Sequence, residues 1–224
     1  MKKLKIVLGI GSIIFLASTE AHAFSISVVG AFNDSNPSTG AISGFSGGAT
    51  GAGASATGFG GGALFGFGGA GPIGFELGAL YLPRNGTEAG SDGNNGTYTA
   101  TIKSTVLEIP ALLRFHLGHM FSVGAGAYYA LGMGTTTMTM TDAGQSGTAA
   151  ASTGSDFGLL ASAAVTIPLA PTLGIVIDGR YTMGLKAANY PLSTLGGILA
   201  GGNPPTMSAK YSDIQVLAGV KIHL

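Results

Sequence analysis

Residues 105–132 read TVLEIPALLRFHLGHMFSVGAGAYYALG. Two alternating patterns lie in this stretch, separated by Gly118-His119-Met120. In the first, Leu107, Ile109, Ala111, Leu113, Phe115 and Leu117 take the odd positions, and Glu108, Arg114 and His116 fall among the even ones. In the second, Phe121, Val123, Ala125, Ala127, Tyr129 and Leu131 are odd, and Ser122, Gly124, Gly126, Tyr128, Ala130 and Gly132 are even. Successive side chains of a strand point to opposite faces, so each segment has one oily face and one small or polar face. Length then decides the environment. Strands of globular proteins run to about 5–6 residues, whereas membrane-spanning strands need about 9–11. Charge mixed with glycine on the second face suits a crowded barrel interior better than open water. The stretch predicts a transmembrane β-hairpin, oily face to lipid and polar face to a lumen.

The same alternation recurs on both sides. Strands are expected over residues 24–32, 59–69, 73–82, 98–117, 121–140, 155–167, 172–185 and 210–224. Four long connections (33–58, 83–97, 141–154, 186–209) alternate with three short ones (70–72, 118–120, 168–171). Long loops outside and short turns in the periplasm are the asymmetry of outer-membrane barrels. Aromatic residues fall towards both rims: Phe32, Phe59, Tyr81, Phe157 and Tyr181 at the long-loop end, and Phe24, Phe115 and Phe121 at the other. Pro110 interrupts a predicted strand, and proline cannot donate to a ladder, so a bulge or local break is expected there. Lys103 falls on the outward face, where that long strand projects beyond the bilayer. The fold class expected is all-β: an eight-stranded, antiparallel, up-and-down transmembrane β-barrel. A secreted soluble barrel or sandwich would need its outward Leu, Ile, Val and Phe covered, and the chain offers no helices to cover them.

Residues 1–23 carry a different signal. Lys2, Lys3 and Lys5 precede the apolar run Ile6 to Ala17, and Ala21-His22-Ala23 presents small residues at a cleavage site. This is the pattern of a secretory signal peptide cut after Ala23. The run is shorter than the roughly 20 residues a spanning helix needs. Residues 24–224 would then form a barrel domain of 201 residues, since 23 are removed from 224. The signal takes three of ten basic and one of ten acidic residues, leaving 7 and 9 and a net charge of −2. Such a balance gives no basic surface for nucleic acid. Cysteine is absent, so an exported chain must be held without disulfides. Gly is 40 of 224 residues and charged residues only 9%. That composition argues for burial or membrane rather than disorder. No transmembrane helix follows the signal, and the bilayer otherwise admits only closed barrels.

LEIPALLRFHLG followed by FSVGAGAYYALG resembles the hairpin of the small outer-membrane β-barrel domains of Gram-negative bacteria, the OmpA/OmpX-like and PorT-like group. The resemblance implies insertion in the cell outer membrane, with lipid as surroundings and the barrel-assembly machinery as a partner in biogenesis. Gly219, Ile222 and Leu224 match the C-terminal assembly signal of such clients; Leu217 replaces a usual polar residue, and the final residue is Leu rather than aromatic. The group includes structural anchors, adhesins and small pores, so it does not choose a function.

The chemistry concentrates on the inward face. Glu76, Glu108, Arg114, His116, Asp156, Asp178, Arg180, Asp213, Lys221 and His223 all fall there. An eight-stranded barrel is barely wide enough for its own side chains. Charges inside it must pair or be hydrated. The expected result is a charged network that closes the lumen, leaving a structural or surface-interaction role to the extracellular loops. The alternative is a narrow porin-like channel for small solutes or ions, for which inward Gly124, Gly126, Ala130, Gly132 and Gly158 leave room. His119 and Ser122 are the one pair resembling a catalytic set, at a turn without a surrounding motif, so no catalytic residue is assigned. His116, His119 and His223 all fall towards the periplasmic end, but lumen hydration accounts for the inward facing of His116 and His223, so no metal or cofactor is expected. GGALFGFGGAG lacks the Lys-Ser/Thr and helix of a phosphate cradle. The Leu195–Leu199 run is expected either to pack over the barrel mouth or to bind a surface ligand. A closed barrel has no edge demanding a partner, so a monomer is expected.

Overall fold

The computed structural model describes residues 24–39, 50–68, 71–91, 97–118, 120–142, 145–152, 154–191 and 206–224. Residues 1–23 and the Leu195–Leu199 run lie outside them, as does His119. Among the described residues ten strands follow in order: β1 (Phe24–Thr39), β2 (Thr50–Gly68), β3 (Ile73–Ser91), β4 (Thr97–Leu117), β5 (Phe121–Asp142), β6 (Gln145–Ser152), β7 (Asp156–Ala170), β8 (Leu173–Gly184), β9 (Ala188–Pro191) and β10 (Thr206–His223).

Eight of these form the wall. Antiparallel neighbours run β1-β2-β3-β4-β5-β7-β8-β10, and β1 pairs with β10 from Ser25↔His223 to Thr39↔Ala209 to close the cylinder. Closure leaves no free edge among the wall strands. The short strands β6 and β9 add to β5 and β10 at the long-loop end. The hairpin of residues 105–132 is continuous from Thr105↔Met133 to Leu117↔Phe121. Its turn uses Gly118 at φ 75°, a left-handed conformation that a Cβ disfavours.

Alternation sorts the residues as the pattern predicts. Val28, Ile73, Leu113, Leu159, Ile177, Val216 and Ile222 project outward and are exposed. Exposed Phe59, Tyr81, Phe157 and Tyr181 stand towards one rim, and Phe115 and Phe121 towards the other. Paired rings Phe32–Phe59 (5.5 Å) and Phe24–Phe67 (5.2 Å) tie β1 to β2 at the two ends. A continuous apolar outer surface of this kind belongs in lipid.

The strands are longer than expected at the long-loop end. Residues 33–58, read as one loop, extend β1 to Thr39 and begin β2 at Thr50. Residues 83–97 likewise extend β3 to Ser91 and begin β4 at Thr97, despite the turn-like Pro83-Arg84-Asn85-Gly86. Residues 141–154 contain β6, and 186–209 contain β9 and the start of β10. Ladder hydrogen bonds from neighbouring strands outweigh weak local propensity in these Gly-, Asn- and Ser-rich segments. At the other end, β7 runs through Pro168 to Ala170, leaving a shorter turn than expected.

Pro110 produces a break rather than a bulge. The β3–β4 ladder lapses between Leu77↔Ala111 and Leu80↔Glu108 without changing register. Gly78 faces it: a Cβ there would lie 3.0 Å from the Pro110 ring. Bulges or irregularities lie elsewhere, between Ala56 and Gly61 of β2 opposite β3, between Pro168 and Ala170 of β7 opposite β8, and between Lys103 and Thr105 of β4 opposite β5, beside Gly134 at φ 72°. Here β5 exchanges neighbours, from β7 (up to Ala130↔Asp156) to β6 (from Thr135↔Ser152). The extra residues and stronger twist of a bulge suit that change of partner.

Candidate functional site

Inward side chains fill the barrel in tiers. Nearest the short turns is a charge-balanced tier of two guanidiniums and two carboxylates. Arg114 of β4 donates from Nε and Nη2 to Glu76 of β3 at 3.2 and 3.0 Å. Arg180 of β8 donates from Nη2 to the same Glu76 at 2.7 Å and to Asp178 at 2.8 Å. Arg114 also donates to Asp178 and, at 2.6 Å, to Ser162 Oγ, whose hydroxyl in turn donates to Asp178 Oδ1 at 2.5 Å. Arginine suits this position because its planar fork serves several acceptors at once.

Leucines form the next tier. Leu80 and Leu82 lie between Glu76 and Arg84 on β3, Leu112 lies between Arg114 and Glu108 on β4, and Leu160 lies between Ser162 and Asp156 on β7. They share one buried cluster with Val29, Leu64, Tyr128 and Leu217. Leu80, Leu82, Leu112 and Leu217 are 0% exposed. The glycines beside them are required by the close wall: a Cβ on Gly62 would meet the Ala79 carbonyl at 2.0 Å.

Arg84 centres the tier beyond, nearer the long-loop end. It donates from Nε to Asp213 at 2.8 Å, from Nη1 to Asp156 at 2.7 Å, and from Nη2 to Glu108 at 3.3 Å. Its guanidinium carbon stands 5.4 and 5.3 Å from the ring centres of Tyr128 and Tyr211, within cation–π range. Gln215 Nε2 donates to both Glu108 oxygens at 3.2 and 3.1 Å. Arg84, Glu108, Asp156, Asp213 and Gln215 are all buried. One guanidinium here answers three carboxylates.

The structure thus divides the ten inward residues into three groups. Glu76, Arg114, Asp178 and Arg180 meet in one tier, and Glu108, Asp156 and Asp213 meet in another. His116, Lys221 and His223 join no ion pair among the described residues; they line a cavity of about 620 Å³ below Glu76 and Arg114. Arg84 is the residue that sequence reasoning missed, because Pro83-Arg84-Asn85-Gly86 reads as a turn. Continuing the even-numbered series Glu76, Gly78, Leu80, Leu82 by one step finds it.

Ser122 also lines the cavity, and its cross-strand neighbour is His116 rather than His119. No hydrogen bond joins Ser122 to His116 among the described residues, and no group of three or more His, Cys, Asp or Glu among them is placed to hold a metal ion. Of the three residues that the resemblance assigns to an assembly signal, Gly219 sits where a Cβ would meet the Val28 carbonyl at 2.0 Å, so closure against β1 itself demands glycine. Ile222 and Leu224 are exposed outward.

Comparison with solved structures finds small barrels. The outer membrane protein OprG from Pseudomonas aeruginosa is 16% identical, with 91% of this chain and 96% of that one covered and a TM-score of 0.49. Ail, the attachment invasion locus protein of Yersinia pestis, is 11% identical over 89% and 99%, with a TM-score of 0.40. Neisserial surface protein A is 13% identical over 89% and 97%, with a TM-score of 0.37. No curated protein matches. The family model described as outer membrane protein beta-barrel domain matches residues 17–188. With the closed eight-stranded wall and its apolar exterior, this match makes the chain a member of the outer-membrane β-barrel domain family, resident in the outer membrane.

Proposed function

We propose that this chain is a sealed barrel whose role is structural or interactive at the cell surface, carried by the strands and connections of the long-loop end. The observation that supports this is the leucine tier held between two ion-paired tiers. A water-filled path would have to cross Leu80, Leu82, Leu112 and Leu217, none of which has accessible surface. It would also have to part the Arg84 and Arg114 networks, whose buried charges are expensive to separate. Single-channel recording in a planar bilayer tests the proposal, after a gel shift between unheated and boiled samples establishes folding. Silence is expected. Reproducible conductance steps that change with Glu108→Gln or Arg114→Ala would replace the sealed reading with a narrow channel.

A further inference from the structure

We propose that the cavity at the short-turn end is a binding site for a small soluble anion, a phosphate- or carboxylate-bearing solute, entered from the periplasm. The cavity is built rather than incidental. Gly66 and Gly74 hold its wall open: a Cβ at Gly66 would lie 2.5 Å from Ser25 Oγ, and one at Gly74 would lie 3.1 Å from His116 Nε2. Gly71, Pro72 and Gly118, from two short turns, stand at its mouth, and Glu76 with Arg114 closes its inner end. Its volume of about 620 Å³ lies within the range of roughly 300–1,000 Å³ typical of small-molecule sites.

Charge selects the ligand class. The groups facing this space are Glu76 from β3, Arg114 and His116 from β4, and Lys221 and His223 from β10, with Asp178 of β8 behind Arg114. Arg114 and Arg180 already engage both carboxylates, Glu76 and Asp178. Lys221 is therefore left inside the mouth without a direct ion pair among the described residues. Hydroxyls of Ser25, Ser27 and Ser122 line the same walls and can donate to an oxyanion. A cation would face Lys221; a neutral apolar ligand would strand the hydroxyls and the ammonium. An anion satisfies both. The site goes beyond the sealed-barrel reading, since it needs only the Arg114 tier as its floor.

Calorimetric titration of the purified protein, in a phosphate-free neutral detergent, would test this with inorganic phosphate and with glycerol phosphate. Saturable binding of at least one is expected, weakened about tenfold or more by Lys221→Gln, with the heat-modifiable gel band unchanged. Adding anionic phospholipid to the micelles separates sources: a site for free solutes keeps its affinity, whereas competition would make a lipid headgroup the ligand. Absence of saturable heat from folded protein overturns the proposal. So does binding that Lys221→Gln and Ser25→Ala both leave unchanged, because it would lie outside this cavity. Lys103→Gln, on the outward face at the other end, is the matched charge control and should change nothing.

Discussion

Replacing Arg84 by Met removes a guanidinium while keeping an unbranched apolar stem in the same space. Three charge-assisted contacts disappear, at 2.8, 2.7 and 3.3 Å. Glu108, Asp156 and Asp213 are left facing one another in a buried site. Unit charges 4 Å apart interact by about 4 kcal/mol at an effective dielectric of 20, so the attraction of Arg84 to each carboxylate counters the mutual repulsion of the three. Removing the cation leaves the repulsions alone. Breaking buried pairs in this way costs about 3–5 kcal/mol. Taking about 4 kcal/mol, the unfolding equilibrium shifts by about a thousandfold. Urea titration of the refolded protein in lipid vesicles, read by the heat-modifiable band, measures it. Arg84→Lys should fall between wild type and Arg84→Met, because a point charge cannot serve three acceptors as a planar fork does. Glu108→Gln added to Arg84→Met should recover part of the loss by removing one uncompensated charge. An Arg84→Met midpoint equal to wild type would refute the reasoning. So would a Glu108→Gln effect identical in both backgrounds.

Three further outcomes follow from other parts of the barrel. Gly126→Ala would put a Cβ 1.9 Å from the Ala111 carbonyl oxygen, a backbone atom that cannot move aside, whereas Gly179→Ala has 3.9 Å of clearance. The first should cost about 1–3 kcal/mol by the same urea titration and the second much less. Ile177 is 45% exposed on the outer face, midway along β8 between the short turn and Tyr181, so Ile177→Arg should cost little in a soluble protein but about 2–4 kcal/mol near a bilayer midplane. Vesicle refolding yields distinguish the two cases. N-terminal sequencing of protein recovered from membranes should begin at Phe24, the first residue of β1; retention of Lys2, Lys3 and Lys5 would make residues 1–23 an anchor.

The fold was legible because a side-chain period of two needs no tertiary information. Odd and even positions of residues 105–132 separate lipid from lumen by themselves, and a one-residue slip would put Arg114 in lipid. Strand ends were not legible where local chemistry opposed the ladder. Pro83-Arg84-Asn85-Gly86 has every mark of a turn, yet it pairs with β4 and the ladder continues to Ser91↔Thr97; β4 supplies partners for all four residues, and β2 for Asn85 and Gly86. Residues 33–39 and 50–58 are strand for the same reason. Pro110 was legible as a disturbance but not as to kind. Whether a missing donor becomes a bulge or a gap depends on the neighbour, and Gly78 offers a place for the ring.

Read alone, the sequence determined that the chain crosses a membrane as strands, which face meets lipid, and that the lumen is charged. These follow from composition and period, which each residue carries locally. Only the tertiary structure decided which charges meet. Arg84 and Asp213 are 129 residues apart, and Arg180 and Glu76 are 104 apart. The stagger and closure of the wall bring each pair to one height, and no local pattern records them. The same closure leaves Lys221, His116 and His223 outside both networks, because the carboxylates within reach are already held by Arg114 and Arg180.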